Sequence, residues 1–310
     1  MYALEGKRVW VAGHRGLLGC ALLRRLKSEN CEIVTVDRAS VDLTDQTRVR
    51  EWMAAIRPQT IFLVAAKVGG IHANSTYWAD FIYENLMIEA NVIDAAHRFE
   101  VEKLLFVASA AAYPEVTSQP IREDALLTGP LDRTKQWYAV AKIAGIKLGQ
   151  AYRGQHGRDF ISALPNNLYG PDDNFDLETS HVIPALIRKA DEAKRSGAPA
   201  MTIWGTGTAR REFLYADDCA DACVHLMKHY SAHEHVNVGS GEDIAIIDLA
   251  RLVCEVVGFE GEIVTDLSKP DGALQRLLSS ERLRALGWAP AMPLHEGIAA
   301  AYRAFLEKGH

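Results

Sequence analysis

The sequence predicts an α/β fold in which helices cover both faces of a parallel β-sheet. Through the first half of the chain, short runs rich in β-branched residues alternate with helical stretches of about 10 to 20 residues. Strands joined through helices in this way run parallel, and the helices then cover the sheet. The expected strands are Arg8–Ala12, Glu32–Val36, Thr60–Ala65, Lys103–Ala108 and Phe160–Leu164, and the clearest helices are Leu17–Ser28, Phe81–Phe99 and Gln136–His156.

The residues after Asn167 follow a different pattern. Turn-rich stretches such as LYGPDDN, WGTGTARR and SKPDG interrupt short helices, and the regular alternation of strand and helix stops. We therefore expect a smaller C-terminal α/β lobe that binds substrate. Residues 1–167, with parts of 211–240, would form the doubly wound sheet domain, and residues 168–210 and 241–310 would form the second lobe.

The composition is that of an ordinary globular protein. Its 310 residues are 48% hydrophobic, enough for a substantial core, and a net charge of −6 lacks the basic surplus typical of nucleic-acid binders. The N-terminal segment shows no secretion signal, and apolar runs such as TIFLVAA are far shorter than the roughly 20 residues that cross a bilayer. We expect a cytoplasmic protein with no nucleic-acid or membrane partner.

The five cysteines are scattered along the chain, which predicts free thiols. Cys219 and Cys223 stand four residues apart and close to His225, His229 and His233, a spacing that zinc ligands also use. Successive turns of an amphipathic helix give the same spacing without a metal. We favour the helix and expect no metal site.

A glycine motif directly follows the first predicted strand. In VWVAGHRGLLG, Gly13, Gly16 and Gly19 occupy the turn and the head of the first helix. Glycines there let the backbone approach a pyrophosphate, whose charge the helix N-terminus stabilises. In this context the motif predicts a Rossmann-type site for a dinucleotide.

The residues after the second strand bear on which dinucleotide is bound. Asp37 could accept hydrogen bonds from a free 2′-hydroxyl, which favours NAD, whereas Arg38 and Arg15 could hold a 2′-phosphate, which favours NADP. Asp42 is expected to continue the adenine pocket. From these residues alone both cofactors stay open.

Three further residues indicate chemistry at a carbonyl group. Tyr138 and Lys142 form a Y-x-x-x-K pair one turn apart on a predicted helix, and Ser109 follows the fourth strand. An ammonium group lowers the pKa of a nearby phenol, and serine and tyrosine hydroxyls can together hydrogen-bond a carbonyl oxygen. The trio predicts a ketone reductase in which Tyr138 donates the proton.

The order of these features resembles the short-chain dehydrogenase/reductase superfamily. The segments NLYGP and REFLYADD are similar to its extended branch, which acts on nucleotide sugars. The segments AGHRGLLG, AAKVGGIHANSTYWADFIYENLMIEANVI, YAVAKIAGIKL, NLYGPDDNF and SHVIPALIRK narrow the resemblance to the GDP-L-fucose synthase family. That family comprises bifunctional 3,5-epimerases and 4-reductases that act on GDP-4-keto-6-deoxy-mannose with NADPH.

The resemblance implies roles for individual residues. Ser109, Tyr138 and Lys142 would be the reductive triad, and His181 would be the acid/base of epimerisation. Arg15 and Arg38 would bind the 2′-phosphate, which favours NADPH, while NADH stays possible because of Asp37. The residues near a GDP-linked keto sugar would be Asn167, Lys189, Trp204 and Arg211. Relatives pair through the helix of Tyr138 and the helix before it, which implies a homodimer.

Two positions depart from the family pattern. The family's cysteine two residues after the triad serine, which exchanges protons at C3 and C5 of the sugar, is Ala111 here. A family arginine near the nucleotide is Lys189. Because a methyl group is neither an acid nor a base, we expect a C4-ketoreductase of a GDP-4-keto-6-deoxy sugar or GDP-4-keto-heptose that lacks epimerase activity.

Three other interpretations stay open. The protein could be a bifunctional epimerase-reductase in which His181 and another group replace the missing thiol. It could be a redox-neutral epimerase or dehydratase that keeps NAD bound, as Asp37 would allow. It could also be a cofactor-binding protein without activity, although the complete triad argues against this.

Overall fold

The chain folds into alternating strands and helices. The computed structural model describes residues 1–269 and 271–309, and in that part it describes every side chain except those of Ile71, His72 and Ser75. The strands are β1 (Arg8–Ala12), β2 (Glu32–Val34), β3 (Thr60–Leu63), β4 (Lys103–Val107), β5 (Asp159–Pro165), β6 (Asn167–Tyr169), β7 (Ala200–Trp204), β8 (Arg210–Tyr215), β9 (Val236–Val238), β10 (Asp243–Ala245), β11 (Glu262–Asp266) and β12 (Gln275–Arg276). The helices are α1 (Leu17–Leu26), α2 (Gln46–Ile56), α3 (Ile71–Thr76), α4 (Trp78–Arg98), α5 (Gln136–His156), α6 (Val182–Ser196), α7 (Ala216–His229), α8 (Ile246–Val257), α9 (Glu281–Ala285) and α10 (Leu294–Glu307), with 3₁₀ turns at Ala110–Ala112 and Glu123–Ala125.

Six parallel strands form the central sheet in the order β2-β1-β3-β4-β5-β9. Successive side chains of a strand point to opposite faces, so Val9 and Val11 pack in one core with α1 and α7. Trp10 and Ala12 pack in the other core, with α2, α4 and α5. The predicted α/β fold, with a parallel sheet covered on both faces, is confirmed.

The predicted boundaries differ from the observed ones by one to three residues at the ends of strands and of two helices, since α1 ends at Leu26 instead of Ser28 and α4 spans Trp78–Arg98 instead of Phe81–Phe99. Strand β2 ends at Val34 and β3 ends at Leu63, two residues earlier than predicted in each case. Helix α5 has the predicted bounds. Its end is marked by Gly157, whose φ of 66° is the left-handed conformation that stops a helix.

The chain after Asn167 builds smaller sheets. Strands β10, β8 and β12 form one of them, with β6 pairing to β8, and β7 pairs with β11. Helices α6, α8 and α10 pack around a separate core there. The expectation of short helices in this half was wrong, since α6 has 15 residues and α10 has 14. The turn signals lie between these helices and leave their interiors intact.

Two elements from the second half return to the central sheet. Helix α7 packs beside α1, and β9 forms the edge of the sheet next to β5. We therefore propose the division suggested by the sequence, with residues 1–167 and parts of 211–240 as one domain and residues 168–210 and 241–310 as the other.

All five cysteines are free thiols. Cys219 and Cys223 lie on the buried face of α7 in the core that it shares with α1, as expected for residues one helical turn apart. Within residues 1–269 and 271–309, no group of three or more His, Cys, Asp or Glu residues is arranged to hold a metal ion. Over the same residues, no helix is both long and apolar enough to span a membrane.

Candidate active site

The turn from β1 to α1 is built on glycines at points of close backbone contact. Gly13 has a φ of 101°, and a Cβ there would lie 2.6 Å from the amide nitrogen of Ala65. A Cβ at Gly19 would collide with the carbonyl oxygen of Gly13. Gly16 is the N-cap of α1 and has no side chain to occupy the first N–H groups of the helix. These N–H groups can therefore receive a pyrophosphate, and the cradle fits a dinucleotide.

The residues expected at the adenosine ribose lie together and form ion pairs. The Arg15 Nε atom is 2.8 Å from the Asp37 carboxylate, and the His14 Nε2 atom is 3.2 Å from the same oxygen. Arg38 pairs with Asp42 at 3.2 Å and is 72% exposed. Both arginines are largely exposed and both are paired with carboxylates, Arg15 with Asp37 and Arg38 with Asp42 and Glu84, so either guanidinium can turn toward a 2′-phosphate.

The three residues of the predicted triad come together behind the carboxyl end of β4. Ser109 precedes the 3₁₀ turn, and its hydroxyl is near enough to the Tyr138 phenol to affect the pKa of Tyr138. The Lys142 Nζ atom lies 5.6 Å from the centre of the Tyr138 ring and donates a hydrogen bond to the Val107 carbonyl at 3.2 Å. The spacing of Tyr138 and Lys142 on α5 thus places both groups in one pocket.

The surroundings of the triad affect its ionisation. Burial raises the pKa of Tyr138, while the Lys142 charge and the Ser109 hydroxyl oppose this rise. Burial alone would lower the pKa of Lys142, but the carboxylate of Glu89 more than compensates and raises it. Lys142 therefore keeps its ammonium charge although it is almost fully buried.

Position 111, where the resemblance implies a cysteine, carries no group that exchanges protons. Ala111 lies in the 3₁₀ turn, where its backbone N–H donates to the Ser109 hydroxyl at 3.2 Å. The next ionisable side chain along the chain, Tyr113, is fully buried and hydrogen-bonds Asn237 at 2.5 Å and His235 at 2.9 Å. Burial also raises the pKa of Tyr113, so it cannot take the place of a thiol at the sugar.

His181 stands at the N-cap of α6, where its side chain makes no capping bond. Burial of the ring among neighbouring groups lowers its pKa, although the residue as a whole is exposed, and the positive charge of Lys135 lowers it further. Burial likewise lowers the pKa of Lys135. The structure thus brings His181 close to a basic residue from the segment that leads into α5.

The predicted substrate residues form two groups, one around Arg211 and one around Trp204. Arg211 lies in register with Arg276 of the neighbouring strand β12 and donates hydrogen bonds to the backbone carbonyls of Arg210 and Asp271. The Asn167 amide donates to the Glu212 carbonyl at 2.9 Å, so its donor group is already engaged.

The second group is built on Trp204, which is 47% exposed. The Nζ atoms of Lys189 and Lys269 lie 5.7 and 5.5 Å from the centre of its ring. Lys189 also donates to the Thr202 carbonyl at 3.1 Å. An exposed indole beside two ammonium groups suits a planar, anionic ligand such as a nucleotide.

Three residues at the site were missed by sequence reasoning: Glu89, Lys135 and Arg276. Arg276 could have been assigned to the site only if the pairing of β12 with β8 had been known. Glu89 required the packing of α4 on α5. Lys135 stands three residues before Tyr138, and this proximity on the chain was the one available signal.

Comparison with known proteins places this fold and site in a class. Residues 9–239 match the NAD dependent epimerase/dehydratase family. A GDP-L-fucose synthase of Sinorhizobium fredii is 58% identical over 306 residues, which cover 99% of this chain and 98% of that protein.

Two solved structures are also similar along nearly their full length. A GDP-6-OMe-4-keto-L-xylo-heptose reductase from C. jejuni superposes with a TM-score of 0.92 at 33% identity, covering 98% of this chain and 99% of that one. MlghC, a GDP-mannoheptose C4 reductase from Campylobacter jejuni with NADP bound, has a TM-score of 0.90 at 35% identity, covering 97% of this chain and 98% of that one.

The chain is therefore a member of the NAD-dependent epimerase/dehydratase class, the extended short-chain dehydrogenases/reductases. Within that class it belongs to the GDP-L-fucose synthase family. The predictions of an oxidoreductase and of NADPH as its cofactor are confirmed. The roles of the individual site residues stay predictions.

The position of Arg38 predicts how the protein discriminates between cofactors. Arg38→Ala removes a charge-assisted contact to the 2′-phosphate worth about 1.5–3 kcal/mol, so we expect the KM for NADPH to rise roughly 10- to 100-fold. The KM for NADH, which lacks that phosphate, should not change. Steady-state kinetics with both cofactors test this, and Arg251→Ala on α8 is the matched control. If Arg38→Ala raises the KM equally for NADPH and NADH, Arg38 does not contact the 2′-phosphate.

Proposed function

We propose that this protein is a C4-ketoreductase of a GDP-linked 4-keto-6-deoxy sugar or 4-keto-heptose, without 3,5-epimerase activity. The observation that carries the proposal is Ala111 beside an assembled Ser109, Tyr138 and Lys142. The reductive residues are in place, while the position that would exchange protons at C3 and C5 has only a methyl group. The similarity to two GDP-heptose reductases supports a substrate of this class.

In the proposed reaction the chain's own residues hold and protonate the ketone. Bound NADPH supplies the hydride for C4. The Ser109 hydroxyl and the Tyr138 phenol donate hydrogen bonds to the carbonyl oxygen, and Tyr138 gives that oxygen its proton as negative charge develops. The Lys142 ammonium stabilises the resulting phenolate.

The basic groups of the second lobe suit the GDP moiety. Arg211 and Arg276 lie side by side, and burial lowers the pKa of both. Among the described residues, the buried Nη1 atom of Arg276 has no hydrogen-bond partner. A diphosphate between the two guanidinium groups would stabilise this pair of charges, because each guanidinium can bind an anion through two parallel hydrogen bonds.

The proposal is tested by reduction in heavy water. With GDP-4-keto-6-deoxy-mannose and NADPH, we expect a reduced product that carries no deuterium at C3 or C5, apart from the background of a mixture without protein. Proton NMR and mass spectrometry of the product measure this. Deuterium at either carbon above that background contradicts the absence of epimerase activity, and failure to consume NADPH with any GDP-keto sugar contradicts the reductase itself.

One observation favours a second candidate, the bifunctional epimerase-reductase. Lys135 acts on His181 and has a lowered pKa, so the two side chains could together exchange protons at the sugar. If the heavy-water experiment shows exchange, Lys135→Met should abolish it and leave NADPH-dependent reduction intact.

We also propose a homodimer formed through α4 and α5, in a cytoplasmic protein. Large apolar side chains on these helices are exposed, including Trp78, Tyr83 and Val140. A partner subunit would remove them from water. Sedimentation equilibrium of the purified protein measures the oligomeric state.

A further inference from the structure

A buried carboxylate stands directly behind the triad lysine. Glu89 on α4 is 1% exposed, and its Oε1 atom lies 3.1 Å from the Lys142 Nζ atom. Burial of an ionisable group costs several kcal/mol unless a partner compensates it. Because the burial outweighs the attraction of Lys142, the pKa of Glu89 is raised to about 7. Above about pH 7 this group is therefore mostly an ionised carboxylate, and its charge lies beside Lys142.

The packing of α4 on α5 fixes the position of Glu89. A Cβ at Gly145 would lie 2.6 Å from the Glu89 Oε2 atom and 2.6 Å from the Phe106 ring. The same ring lies 4.8 Å from Lys142 Nζ. The carboxylate thus fits a space that exists only because residue 145 has no side chain.

Few charges act on this buried group of residues. Those that act on the Tyr138 hydroxyl are Lys142 on its own helix and Glu89 on α4, with Ser109 from the turn after β4 as a neutral partner. Those that act on Lys142 are Glu89 and Tyr138. An unopposed ammonium would stabilise the phenolate, which is the form needed to remove a proton from an alcohol. A ketone reductase needs the neutral phenol.

We propose that Glu89 is a positioning residue that holds the Lys142 ammonium against the carboxyl end of β4 and offsets part of its charge, so that Tyr138 stays protonated as the acid for ketone reduction. The inference rests on the proposed reductase function and deepens it. It assigns to α4 a part in keeping Tyr138 protonated.

The pH dependence of reduction tests the proposal. Tyr138 is active when protonated, so kcat falls as the pH rises through the pKa of Tyr138. Removing the Glu89 charge by Glu89→Gln lowers the pKa of Tyr138 and also that of Lys142, and either change moves the alkaline loss of activity to lower pH. We expect a shift of about one pH unit or more in the alkaline limb of kcat.

Two matched variants separate charge from packing. Glu89→Asp keeps the carboxylate, so the alkaline limb of its kcat profile should lie close to that of the wild type. Asp94→Asn removes a carboxylate from the same helix at a point outside the site and should leave the profile unchanged. If Glu89→Gln still binds NADPH but the alkaline limb of its kcat profile is not shifted, the proposal is overturned. If Glu89→Gln does not fold, Glu89→Met carries the same expectation.

A measurement on the holoenzyme needs no substrate. The ultraviolet phenolate titration of the wild type, minus that of Tyr138→Phe, reports the ionisation of Tyr138 alone, and the same difference in the Glu89→Gln background reports it without the Glu89 charge. We expect the Tyr138 phenolate to form at lower pH in Glu89→Gln than in the wild type, and an unchanged titration overturns the proposal. If the titration shifts but the wild type reduces no GDP-keto sugar, the proposed function is refuted and the role of Glu89 stands.

Discussion

Replacement of Tyr138 by phenylalanine is expected to slow ketone reduction by about 10²- to 10⁴-fold. The change removes one hydroxyl from the buried pocket beside Ser109 and Lys142 and leaves the ring in place. Without that hydroxyl the developing oxyanion loses both a hydrogen bond and its proton source. NADPH oxidation at saturating GDP-keto sugar, followed by absorbance, measures the loss in kcat.

The control for this variant is another tyrosine of the same helix. Tyr152 hydrogen-bonds Asp94 at 2.9 Å, away from the triad, so Tyr152→Phe should retain wild-type turnover. Binding of NADPH, followed by its fluorescence, should survive in both variants, because the proposed cofactor contacts lie at the glycine turn and at Arg38. Unchanged turnover in Tyr138→Phe would remove the proposed proton donor and the mechanism with it.

The parts of the fold that could be predicted are those fixed by local patterns. The buried strands of the central sheet read as apolar runs, and α5 lies between a turn and Gly157, so its bounds were predicted to the residue. The pairing of β12 with β8 could not be predicted, because β12 has only two residues and its partner is distant in the chain. Such short strands exist through tertiary contacts alone.

At the candidate site, too, local patterns could be predicted from the sequence and tertiary contacts could not. Tyr138 and Lys142 could be predicted because helical spacing alone places them on one face. The glycine turn could be predicted because a Cβ would collide with the backbone at Gly13 and Gly19. The contact of Glu89 with Lys142 depends on how α4 packs against α5, which the sequence pattern does not encode locally. The pairing of Asp37 with Arg15, which bears on cofactor choice, is likewise a contact between two loops.

Introducing a thiol by Ala111→Cys is expected to create proton exchange at C3 and C5 of the sugar, which the proposed function does not include for the wild type. Ala111 lies in the 3₁₀ turn beside Ser109 and is partly exposed, so a thiol there can reach a bound substrate without entering the core. General acid–base groups contribute about 10²- to 10⁴-fold, so exchange should rise at least about 100-fold above the background without protein. Deuterium incorporation in heavy water, measured by NMR before NADPH is added, detects it.

The neighbouring residue supplies the matched control for this gain of activity. Ala110→Cys places a thiol in the same turn at a position buried in the core, and it should not exchange protons at the sugar. Adding His181→Asn to Ala111→Cys should remove the new exchange, since epimerisation needs an acid on the face opposite the base. If Ala111→Cys reduces the ketone at the parental rate but exchanges nothing, the methyl group at position 111 is not what separates this protein from an epimerase.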